Sequence, residues 1–149
     1  MNPDFSDMLS ALSDEGVEFL VVGAYALAAH GLPRATGDLD VWVRPAVANA
    51  EHVLQALIRF GAPTDAIAVE DFRVGGIVFQ IGVAPSRIDL LTAIDGVDFE
   101  DAWRERVEVD VEGVRVPVIS REHLLRNKQA TGRPRDRADA DWLESTEHG

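Results

Sequence analysis

The first third of the chain switches between two hydrophobic periods. Phe5, Met8, Leu9 and Leu12 recur at three- and four-residue intervals, which predicts a short amphipathic helix over 3–14, closed by Glu15-Gly16. The unbroken apolar run Glu18 to Val22 (EFLVV) has the length and composition of a buried strand. It breaks at Gly23. Ala24 to His30 (AYALAAH) is helical by propensity, with Gly31 suited to the position after the helix. A loop over Pro33 to Gly37 leads into Asp38 to Arg44 (DLDVWVR), which alternates polar and apolar and then turns β-branched and aromatic, as a strand does. Pro45 opens a helix that runs to about Phe60 and stops at Gly61-Ala62-Pro63.

The middle of the chain reads as strands: Phe72 to Val74, Gly76 to Ile81 and Ser86 to Leu91, with turns at Gly75-Gly76 and Ala84-Pro85. Asp98 to Arg104 predicts one or two helical turns. Val107 to Val111 and Val114 to Val118 flank Glu112-Gly113 as the arms of a hairpin. Ser120 caps a helix to Ala130, and a last helix spans Asp136 to Glu144. Helices and strands in this order predict an α+β domain with one short mixed sheet flanked by helices.

Length fits a single domain: the 149 residues are read as one unit over 1–144, with 145–149 as a flexible tail. Apolar residues make up 46% and charged residues 27%, an ordinary globular balance. The absence of cysteine excludes a disulfide framework, a thiol nucleophile and Cys-ligated metal sites. No apolar run is long enough to span a membrane, and the N-terminus lacks the pattern of a signal peptide, so the expected location is cytoplasmic.

Charge adds a sharper constraint. The net charge of −12 argues against a large nucleic-acid footprint, because such binding rests on cations that neutralise phosphates. Six of the fourteen cations nevertheless fall between Arg121 and Arg137, a local basic segment able to meet a polyphosphate. Lys128, within it, is the only lysine.

Three features could carry chemistry. Val22-Gly23-Ala24 joins a strand to a helix through glycine; this is either a plain tight turn or a place where backbone N–H groups meet an anion. Asp38 and Asp40 lie two apart on a strand, so their side chains share a face. They are either an exposed strand start or a pair of oxygen donors suited to Mg²⁺ or Mn²⁺. Asp89 sits inside an apolar strand, RIDLL, and is either structural, through a salt bridge to Arg87 or a strand edge, or part of a site. Other acids read differently. Glu108, Asp110 and Glu112 alternate with valines on the hairpin and face solvent, whereas Asp139 and Asp141 lie on a helix, where such a spacing does not share a face. The four histidines have no metal-ligating spacing, and neither a GxSxG elbow nor a Walker lysine is present.

Together, Gly23-Ala24, thirteen intervening residues, Asp38-Leu39-Asp40-Val41 and the later Asp89 resemble the signature of the nucleotidyltransferase superfamily. Phe19 to Val43 is similar to its small bacterial branch of MNT-like and AbiEii-type toxin proteins, where an Arg-x-Thr-x-Asp-x-Asp run is usual; Arg34, Thr36, Asp38 and Asp40 match it. The resemblance implies a minimal polymerase-β-like fold that moves an NMP from an NTP to an acceptor hydroxyl. It implies that Asp38, Asp40 and Asp89 bind Mg²⁺ or Mn²⁺ and are catalytic, Asp89 also as general base. Gly23, Ala24, Arg34, Thr36 and Lys128 would contact the nucleotide. Ala24 departs from the serine common at this position, which removes a hydroxyl contact to phosphate, and Tyr25 is expected to face the core. Asp136 and Asp139 are expected to salt-bridge locally. The implied acceptor is tRNA, a protein or a small molecule, and an antitoxin or a second copy is the implied partner. Two rival readings are a catalytically silent nucleotide-binding module of a toxin–antitoxin pair and a DxD glycosyltransferase; the chain is short for the latter.

Overall fold

The computed structural model describes residues 1–32, 37–65, 67–83 and 86–146. The predicted loop over Pro33 to Gly37 therefore lies almost wholly outside the described residues. Element order is α1 (Pro3–Asp14), β1 (Phe19–Val22), α2 (Gly23–Ala29), β2 (Leu39–Val43), α3 (Val47–Phe60), β3 (Val78–Ile81), β4 (Ile88–Leu91), α4 (Phe99–Arg104), β5 (Val107–Val111), β6 (Val114–Val118), α5 (Arg121–Thr131) and α6 (Pro134–Thr146). The six strands form one mixed sheet in the order β3-β4-β2-β1-β6-β5. β1 runs antiparallel to β2 and parallel to β6, and β2 runs parallel to β4.

Local signals explain most boundaries. Asn2 caps α1, accepting a 2.8 Å bond from the Asp4 amide, and Pro3 fills the first turn, where no donor is needed. Gly61 ends α3 at φ +91°, a backbone state that costs a side-chain-bearing residue. Ser120 caps α5 through the His123 amide at 3.1 Å. All four residues of β1 are buried, as are Leu39, Val41, Trp42 and Val43 of β2, so the central strands are covered on both faces. Edge strands β3 and β5 are not covered in this way. Asn49, on α3, is the main polar residue within this core; it accepts from the Glu18 amide (2.7 Å) and donates to the carbonyls of Glu18 and Arg44, fastening the ends of β1 and β2 to the helix.

One predicted strand is absent. Phe72 to Val74 does not pair; a 3₁₀ turn covers Val69–Phe72, held where Asp71 accepts from the Ala68 amide, and Gly76 breaks the chain at φ +89°. Phe72 is apolar because its ring is buried edge-on to Phe79, not because it lies in the sheet. The last helix also begins two residues earlier than expected, at Pro134, and its range reaches two residues into the segment read as a tail. Residues 147–149 lie outside the described residues.

Candidate active site

The register of three strands assembles the site. Val22, the last residue of β1, pairs with Asp40, so Gly23 follows directly beside that carboxylate. On the other side of β2, Asp40 pairs with Asp89 of β4. Paired residues on adjacent strands, about 4.8 Å apart, project to the same face, and Asp38, two residues before Asp40, joins them there. Leu39 and Val41 point the opposite way and are fully buried. The sheet thus commits one face of the β2 rim to three carboxylates and the other to the core.

Gly23 has φ +68°, and a Cβ placed on it would lie 2.4 Å from Asp40 Oδ2. Glycine is required twice, for its backbone and for the space that the carboxylate occupies. Its neighbour Tyr25 packs edge-on against Phe5 at 5.6 Å, turned toward the core as expected.

Electrostatically the cluster is strained. Burial pushes the Asp40 carboxyl up from 3.8 to about 6, helped by the charges of Asp89 and Asp38 and by a hydrogen bond with Asp89, and opposed by Arg87. Arg87 lies just before β4. Its Nε donates to Asp89 Oδ1 at 2.9 Å and its Nη2 to Asp89 Oδ2 at 3.2 Å; the same Nη2 lies 3.2 Å from Asp38 Oδ2. Asp89 is salt-bridged to Arg87, and the register sets it beside Asp40. Among the described residues, Asp38 Oδ1 is buried with no hydrogen-bond partner.

Asp38 and Asp40, but not Asp89 or Arg87, line a cleft of about 350 Å³. Gly23 and Ala24 lie on the same side, and Lys128 of α5, Arg133 of the α5–α6 turn and Arg135 of α6 line the other. Lys128, the predicted phosphate contact, is in the cleft but is also anchored. Its Nζ lies 3.3 Å from Asp136 Oδ1 and 3.4 Å from Asp139 Oδ2, both carboxylates being buried. Thr131 Oγ1 (2.7 Å) and Arg133 Nε (2.6 Å) also donate to Asp136. Burial alone would raise the Asp136 carboxyl; the bonds from Arg133, Thr131 and Lys128 outweigh it and pull it down to about 2. Asp136→Asn should accordingly lower stability by roughly 2–3 kcal/mol at neutral pH. Because the folded value lies below the unfolded one, wild type should lose this advantage as pH falls from about 4 toward 2 and the variant should not; urea titrations at several pH values would show it.

Sequence reasoning missed Arg87 as a member of the site and Arg133 as a wall of the cleft. Strand periodicity held the first signal, since residues 87 and 89 share a face. Arg34 and Thr36 lie outside the described residues. Glu108, Asp110 and Glu112 are exposed as expected. Among the histidines, His30 bonds the Ile119 carbonyl at 2.8 Å and His123 is buried against Ser120.

The carboxylates suit a hard divalent cation by chemistry: all donors are oxygens, one buried oxygen lacks a partner among the described residues, and Gly23 leaves the approach clear. Among the described residues, however, no three acidic or imidazole side chains are already gathered as a metal cage.

Strand-borne acids beside a glycine turn, on this mixed sheet, are the layout of a nucleotidyltransferase. The chain belongs to the family described as nucleotidyl transferase of unknown function (DUF2204), which matches residues 2–147. No curated protein matches the sequence. Two solved structures share the fold. One is a candidate nucleotidyltransferase of Thermotoga maritima, 16% identical, with a TM-score of 0.65 over 97% of this chain and 96% of that one. The other is the lincosamide antibiotic adenylyltransferase LnuA with lincomycin bound, 14% identical, with a TM-score of 0.60 over 97% of each chain. No described helix is long and apolar enough to cross a membrane.

Proposed function

We propose that this nucleotidyltransferase moves an NMP from a nucleoside triphosphate to an acceptor hydroxyl, with release of pyrophosphate, in the presence of Mg²⁺ or Mn²⁺. The observation that carries the reading is the register that sets Asp40 between Asp89 and the Gly23 turn. Asp38 and Asp40 would hold the ions, with Asp89 completing the set. When bound, divalent ions neutralise the triphosphate and help align the attacking and leaving oxygens. Gly23 and the Ala24 amide approach the β- and γ-phosphates, a contact made by backbone because Ala24 has no hydroxyl. Lys128, Arg133 and Arg135 supply positive charge along the opposite wall. The acceptor oxygen forms a bond to the α-phosphorus, the bond to pyrophosphate breaks, and the acceptor proton passes to Asp89. Catalysis of this kind is mostly positioning and charge neutralisation.

A small-molecule acceptor is favoured over tRNA or protein. The net charge of −12 disfavours a polyanion such as tRNA, and LnuA, solved with lincomycin bound, matches this chain over 97% of each. The test is incubation with each of the four α-phosphate-radiolabelled NTPs, Mg²⁺ or Mn²⁺, and three acceptor pools: total tRNA, the protein itself, and hydroxyl-bearing antibiotics and sugars. Label in the small-molecule pool, lost on chelation, is the expected result. Label on tRNA or protein would retain the transferase and change its acceptor. Metal-dependent nucleotide binding with no labelled product would favour a catalytically silent module.

A further inference from the structure

The cluster at the β2 rim already contains a cation. Asp38, Asp40 and Asp89 crowd three acidic groups onto one face, and the Arg87 guanidinium is set among them. Its planar fork takes both oxygens of Asp89, at 2.9 and 3.2 Å, and reaches Oδ2 of Asp38 at 3.2 Å. Such bidentate pairing is directional and strong, so Asp89 is held toward Arg87. Asp38 Oδ1 is buried without a hydrogen-bond partner among the described residues, and no three acids there are gathered for an ion. Arg87 is not itself trapped: its side chain is 34% exposed, against 10% for Asp89, so it can swing outward while the aspartate stays.

We propose that Arg87 is a resident counter-cation that makes divalent-metal loading depend on the nucleotide. This rests on the metal-dependent reading of the site given above. Without nucleotide, an incoming ion meets a guanidinium already on Asp38 Oδ2 and on both oxygens of Asp89, a contest of two cations for the same carboxylates. A triphosphate changes that contest by bringing anionic oxygens of its own, which give the displaced guanidinium a partner. Arg87 is thus a positioning residue, and its signature is in binding order rather than in rate alone. The same arrangement offsets part of the negative charge of the three carboxylates while the site is empty.

The experiment is Mn²⁺ titration followed by electron paramagnetic resonance of the free ion, on wild type, Arg87→Gln, Arg87→Lys and Asp40→Asn, each with and without a non-hydrolysable α,β-methylene triphosphate. Wild type is expected to bind Mn²⁺ weakly alone and at least tenfold more tightly with the analogue. Arg87→Gln is expected to bind it at least tenfold more tightly than wild type without nucleotide, and to gain less than threefold from the analogue. Arg87→Lys keeps the charge but loses the fork, and should fall between them; it also serves if the glutamine variant does not fold. If the Arg87 variants bind Mn²⁺ no better than wild type while Asp40→Asn abolishes binding, the metal site stands and the role of Arg87 is overturned. Absence of Mn²⁺ binding in every protein, with or without the analogue, would overturn the metal-dependent reading and this proposal with it.

Discussion

Replacing Asp40 with asparagine is expected to abolish nucleotidyl transfer while making the metal-free protein more stable. The two effects share a cause. Asp40 is buried among acids, and its carboxyl is pushed up from 3.8 to about 6. A folded value above the unfolded one means that the fold binds this proton more tightly than the open chain does. The corresponding stability is present in full below about pH 4 and is lost as pH rises to about 6, a loss of up to roughly 3 kcal/mol. Asparagine has nearly the same shape and no charge, so the variant should escape that loss. At pH 8 without metal, its melting temperature should exceed that of wild type by roughly 3–8 °C, and the gap should close toward pH 4. Activity should fall about 10³-fold or more, because on the proposed mechanism Asp40 would hold the ions that neutralise the triphosphate. Calorimetry across pH with chelator present measures the first effect, and the labelling assay the second. A less stable Asp40→Asn at pH 8 would show that the carboxylate is structural.

The second large effect belongs to Gly23→Ala. A methyl group there meets Asp40 Oδ2 at 2.4 Å and its Cγ at 3.2 Å, on a backbone at φ +68°. The left-handed backbone costs about 1–2 kcal/mol for an alanine. Asp40 can relieve the clash by turning its short side chain, so the fold should survive. The carboxylate, however, leaves its place, and a displacement of about 1 Å at a reacting centre is worth about 10²-fold in rate. Gly23→Ala should therefore melt only a few degrees lower yet lose about 10²-fold in transfer. A double-mutant cycle separates the two costs: in an Asp40→Ala background the steric part should vanish and only the backbone part remain. Equal stability losses in both backgrounds would place the whole effect in the backbone.

How far the site could be read from sequence depended on how far its parts lie from one another along the chain. Gly23, Asp38 and Asp40 were legible because a strand, a glycine turn and an i, i+2 pair are local patterns. Asp89 was visible as an oddity in an apolar strand, but its position beside Asp40 depends on β2 pairing with β4 rather than with another strand, and no local pattern encodes that choice. Arg87 was visible only as an alternative explanation for Asp89. It became part of the site once the register also brought Asp38 within its reach. Asp136 and Asp139 pair locally, as expected, because the chain turns at Gly132 and sets the start of α6 against Lys128 near the end of α5. Phe72 to Val74 was misread because a buried aromatic in a turn and one in a strand give the same short apolar signal.

The β2–β4 pairing also governs when the site can exist. Asp40 and Asp89 are brought side by side in a parallel register, with α3 and β3 contained in the chain between them. Closing so long a segment is entropically expensive, and the pairing gains nothing until closure is complete. Hairpin β5–β6 and helices α1 and α3 can form on the way to the native state, but the acidic cluster cannot be built piecemeal: until β4 docks in register, Asp89 is simply a carboxylate on a solvated segment. The carboxylate pair is therefore a product of tertiary pairing, complete only once β4 lies in register beside β2.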